Sequence, residues 1–103
     1  MLETAVQPYR WIMYLNNPLG GFDVQRLSSK EDAKAALIAY GEATGFYQDL
    51  QVGGQYGCSG ALYPYAEEDW KEAEAMRGIG CPFDYPAYLV NNGPRGGVNI
   101  TPA

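Results

Sequence analysis

The chain contains no histidine, and among its 103 residues it carries only 7 basic side chains against 12 acidic ones, a formal charge of −5. Each shortage excludes a class of activity. Without imidazole there is no histidine general base, no Ser-His or Cys-His dyad and no histidine-ligated zinc. Seven scattered cations in an acidic chain lack the basic patch that a phosphate backbone demands, so general DNA or RNA binding is not expected. Long apolar runs are missing too. The longest, Trp11 to Leu15, falls far short of the ~20 residues needed to span a bilayer, and no membrane partner is expected. The opening residues Met-Leu-Glu-Thr-Ala-Val-Gln-Pro show neither a basic nor an apolar signal region, which leads us to expect a chain that stays in the cytoplasm. Only two cysteines occur, Cys58 and Cys81, and for a chain without an export signal two reduced thiols are the expected state.

What is abundant is glycine, at 13 positions, and tyrosine, at 9. The length and the 47% apolar fraction fit one folded domain over residues 1–103. Along the chain, Arg10 to Leu15 reads as a strand, with Trp11, Met13 and Leu15 on one face. Asn16 to Gly21 is a cluster of turn formers, and Phe22 to Leu27 completes a hairpin. Ser28-Ser29-Lys30-Glu31 has the form of a capping box. It opens a helix expected over about 30–44, with Ala33, Ala36, Leu37, Tyr40 and Thr44 on one side and Gly45 as its stop. Phe46 to Val52 alternates as a strand, and 53–65 reads as a long glycine- and tyrosine-rich loop. A second helix is expected over about 66–77, ended by Gly78 and Gly80. Short strands follow at 87–90 and 98–101, flanking Asn91 to Gly97. The order β-β-α-β-α-β-β predicts an α+β domain, a mainly antiparallel sheet with both helices on one face.

Two loops carry the candidate chemistry. Glycines 53, 54, 57 and 60 provide a wall where backbone amides approach a ligand, with Tyr56 as a stacking platform and Ser59 as a polar contact. The spacing matches neither a dinucleotide fingerprint nor a phosphate-binding loop. In the second loop, successive amides around Gly96 and Gly97 suit an anion, Arg95 offers a planar fork, and Asn91 and Asn92 flank it. Arg10 and Trp11 add a cation and an aromatic surface. Cys58 lacks the base a nucleophile requires, and the acidic run Glu67-Glu68-Asp69 is explained by the dipole of a helix first turn. No catalytic residue, metal or cofactor is expected.

The blocks Leu62-Tyr63-Pro64-Tyr65-Ala66-Glu67-Glu68-Asp69-Trp70, Gly80-Cys81-Pro82-Phe83-Asp84-Tyr85-Pro86 and Gly93-Pro94-Arg95-Gly96-Gly97-Val98 resemble small proteins of unassigned role encoded by phages of mycobacteria and related actinobacteria. The Gly-Pro-Arg-Gly-Gly-Val ending is the specific element. The resemblance implies a viral gene product expressed in a bacterial cytoplasm. Together with the loops it leads us to expect a non-catalytic binder of a small anionic host molecule such as a nucleotide immune signal, with a homodimer as one way to enclose it. The alternative is an inhibitor of a host protein that uses its tyrosines and tryptophans as interface anchors.

Overall fold

A computed structural model of the chain describes residues 8–17, 19–45, 58–92 and 97–103. Within them the elements run β1 (Trp11–Asn16), β2 (Phe22–Leu27), α1 (Asp32–Thr44), β3 (Ser59–Pro64), α2 (Glu67–Ala75), β4 (Tyr88–Asn92) and β5 (Val98–Pro102). All five strands join one antiparallel sheet in the order β2-β1-β3-β4-β5. The order β-β-α-β-α-β-β and the α+β class are therefore as the sequence predicts.

The two helices lie on opposite faces, not on one, which corrects the expected layering. Strand alternation decides this. Met13 and Leu15 pack with Leu62, Val90, Ala33 and Leu37, the last two from α1. Their neighbours Ile12 and Tyr14 point the other way, into a cluster with Val24 and with Trp70 and Ala73 of α2. β1 is thus the middle of a three-layer sandwich, and Ile12, Met13 and Leu15 are all fully buried. The uninterrupted apolar run Trp11–Leu15 is the signature of a strand covered on both sides.

A second correction concerns residues 53–65. Their last part, Ser-Gly-Ala-Leu-Tyr-Pro, is the central strand β3, paired with β1 on one side and β4 on the other. Small residues are needed there. A Cβ on Gly60 would stand 2.8 Å from the Met13 side chain and 2.9 Å from the Tyr14 carbonyl oxygen. The strand expected over 46–52 lies outside the described residues.

The hairpin turn is tied by Asn17. Its Oδ1 accepts the Leu19 and Gly21 N–H groups at 2.9 and 3.2 Å, and its Nδ2 donates to the Tyr40 hydroxyl at 3.1 Å. That last bond locks the turn to α1. The helix begins without the expected capping box: no side chain caps it, and it is entered through backbone bonds from Ala33 N–H to Lys30 O and Lys34 N–H to Glu31 O. It ends as predicted at Gly45, left-handed at φ 89°, whose N–H bonds the Gly41 carbonyl. Arg77, two residues past the end of α2, forms an ion pair with Asp23 of the edge strand β2. The Arg26 guanidinium lies 4.3 Å from the Tyr9 ring centre and 4.9 Å from that of Trp70.

Candidate functional site

α2 packs on the β2 side of its face and α1 spans β1, β4 and β5 on the other. Above β4 and β5 no described residue covers the α2 face: Leu89, Asn91, Asn99 and Thr101 are all exposed. Register lines these residues up. Asn16 pairs with Ser59, and Asn91 pairs with Asn99. The β3–β4 register ends at the Gly60–Val90 pair, and Ser59 and Asn91 are the next residues along the two strands. Asn16, Ser59, Asn91 and Asn99 therefore form one cross-strand row of neutral polar side chains on the open face. Ser59 Oγ donates to Asn16 Oδ1 at 2.7 Å. Among the described residues no side-chain hydrogen bond occupies Asn91 or Asn99, so their amides present both donors and acceptors to solvent.

This row stands at the end of the sheet where β3 begins and β4 ends. The chain enters β3 at Ser59 after segment 46–57, and β4 connects to β5 through segment 93–96, with Gly97 (φ 80°) leading into Val98. Two sequence-predicted residues, Ser59 and Asn91, thus stand on neighbouring strands at the same end of the sheet, with Gly97 two residues before Asn99 in the chain. The backbone of Asn92 pairs with Val98. Tyr56, Arg95 and Gly96 lie outside the described residues.

Arg10 and Trp11 do not join this group. They sit at the far end of β1, about 17 Å from Asn16 at ~3.3 Å per strand residue. Trp11 moreover faces the α1 layer, half-buried and edge-on to Tyr88 at 5.6 Å, with Lys30 Nζ 4.3 Å from the Tyr88 ring centre. It is a packing residue, as its place in the odd-numbered register requires. Arg10 contributes its backbone, accepting from Tyr65 N–H and donating to Leu27 O. Sequence reasoning missed Asn16 and Asn99. Strand parity was the available signal, because both share the parity of the open face once the pairing partners are known.

The other polar cluster lies beneath α2. Tyr14 donates to the Gly80 carbonyl at 3.0 Å, and the Cys81 thiol meets the Tyr63 hydroxyl at 3.5 Å, with Phe83 packed on both rings. Burial pushes the Tyr63 phenol well above its ordinary 10.0, and the Cys81 bond adds to the effect. Burial likewise raises Tyr14. Both phenols are held protonated at neutral pH, which makes them structural donors and acceptors. Among the described residues no three His, Cys, Asp or Glu side chains group to hold a metal, and no helix is long and apolar enough to cross a membrane. Comparison with known protein families, curated proteins and solved structures finds no match to the chain.

Proposed function

We propose that this protein acts by holding a small anionic ligand of the nucleotide class without converting it, as a cytoplasmic accessory protein of the phage type that sequesters a host nucleotide signal. The reading is supported by the Asn16–Ser59–Asn91–Asn99 row, because Ser59 follows the glycine-rich segment 53–57 in the sequence and Asn91 shortly precedes 93–97. Side-chain amides read the edges of a nucleobase by paired donor and acceptor, as asparagine does with adenine. Each such bond in water is worth only about 0.5–1.5 kcal/mol, whereas a micromolar complex needs about 8 kcal/mol. The row therefore orients a base, and most of the affinity falls to stacking and charge, roles the sequence gives to Tyr56 and Arg95.

The test is calorimetry and thermal unfolding against mono-, di- and cyclic nucleotides, followed by recovery of the ligand. A nucleotide present at 100 times its Kd is expected to stabilise the fold by about 2.7 kcal/mol and to be recovered chemically intact. Asn91→Ala and Ser59→Ala should weaken capture several-fold, and Arg95→Ala should abolish it. Absence of a shift with every nucleotide, or recovery of a converted product, overturns the reading. A second reading, inhibition of a host protein, draws on Ile79 and Tyr85, which are 71% and 90% exposed. Retention of one host protein that Tyr85→Ala releases, with no nucleotide response, would select it.

A further inference from the structure

The open edge of the sheet at β5 has the pattern of a surface that pairs with itself, and we propose that two copies of this chain join β5 to β5 across a two-fold axis at Ile100. The hydrogen-bond phase fixes which groups are on offer. Ala103 N–H bonds the Ala87 carbonyl at 3.1 Å, so that carbonyl points toward β5 one step beyond the Tyr88–Pro102 pair, while Ala87 N–H turns to Leu62 O, and this sets the phase of the ladder. Hydrogen-bonded pairs alternate with non-bonded ones. Thr101 with Leu89 and Asn99 with Asn91 are then the bonded pairs toward β4, while Val98, Ile100 and Pro102 direct their main-chain groups outward. Among the described residues nothing pairs with that edge.

An identical strand satisfies these groups. With Ile100 opposite the partner's Ile100, the two exchange a reciprocal N–H to C=O pair. Val98 N–H reaches the carbonyl of the partner's Pro102, and the symmetric bond forms at the other end. Pro102 lacks an N–H, but it stands where only its carbonyl is used. Its ring blocks extension of the ladder past that point, so the register centred on Ile100 is favoured over slipped ones. Side chains agree. Val-Asn-Ile-Thr-Pro carries no charge, whereas the opposite edge strand, β2, holds Asp23 and Arg26 and is flanked by α2. Charge and a neighbouring helix blunt β2 as a pairing edge; β5 has no charge, and its one blunting residue, Pro102, limits pairing to this register. In the paired register Asn99 faces the partner's Thr101 as a closely spaced, non-hydrogen-bonded pair on the open face. The partner thus supplies the next polar group to the row Asn16–Ser59–Asn91–Asn99.

Sedimentation equilibrium of the full chain, without ligand, tests this separately from the proposed function. The wild type is expected to be a dimer at about 100 μM and to dissociate on dilution. Asn99→Lys combined with Thr101→Lys sets like charges opposite each other twice and should weaken the dimer about tenfold or more. Asn99→Lys combined with Thr101→Asp makes both contacts attractive and should restore it. Both positions are exposed, and circular dichroism checks the fold. If the lysine pair misfolds, amide exchange of the wild type decides: Val98 and Ile100 should be protected more at high than at low protein concentration. A monomer throughout, a dimer indifferent to the lysine pair, or concentration-independent exchange at Ile100 overturns the proposal.

Discussion

Buried tyrosines make this fold sensitive to alkaline pH. In an unfolded chain a phenol ionises near 10.0, but burial raises Tyr14 and Tyr63 above that value in the folded protein. The native state therefore keeps protons that the unfolded state releases, and alkaline conditions favour unfolding. The stabilisation is fully present below about pH 10 and is lost as pH climbs from there toward the raised native value. Urea midpoints should be flat between about pH 8 and pH 9.5 and fall above pH 10, with Tyr63→Phe making the fall shallower. An unchanged slope in Tyr63→Phe would place the alkaline sensitivity elsewhere. At this scale the sequence is partly readable. Gly45 announces its left-handed conformation because no other residue adopts it cheaply. Which face Trp11 takes is not legible locally, because its surroundings depend on Tyr88, seventy-odd positions away along the chain and adjacent only through the sheet.

At the scale of the element, the difference between α1 and β3 is instructive. Helix α1 is legible from its own residues: Ala33 and Leu37 recur at helical spacing and are buried as expected, and Gly45 closes it. Only its entry differs, since the backbone turn through Lys30 and Glu31 does the work assigned to the serines. Strand β3 is hidden, because Ser59, Gly60 and Ala61 have little strand propensity of their own and are recruited by the strands on either side. Gly60 is the clearest case. Ala normally suits a strand better than Gly by about 0.5–1 kcal/mol. Here, however, the new methyl would meet the Tyr14 carbonyl of the adjoining strand, which cannot swing aside as the Met13 side chain can. Gly60→Ala is expected to destabilise by about 1–3 kcal/mol in chemical denaturation, the range for overpacked cores. A neutral or stabilising result would mean that β1 and β3 can separate there without loss.

For the whole molecule, the arrangement of layers was not deducible from the order of elements, since β-β-α-β-α-β-β accommodates helices on one face or on two. The decision rests on β1, apolar at every position from Trp11 to Leu15 and so in need of cover on both sides. α2 covers only part of its face, and among the described residues nothing covers Asn91 and Asn99 there. The same partition separates the two thiols. Cys58 belongs to the α1 layer at 2% exposure, while Cys81 is exposed on the far side of the sheet, beside Tyr63. A thiol-reactive dye should consequently modify Cys81 at once and leave Cys58 untouched until the α1 layer opens. Mass spectrometry of the time course checks this, with equal labelling rates as the contrary result. The natural chain thus offers two built-in clocks, one reading access to the outer surface and the other the breathing of the interior, without any engineered probe.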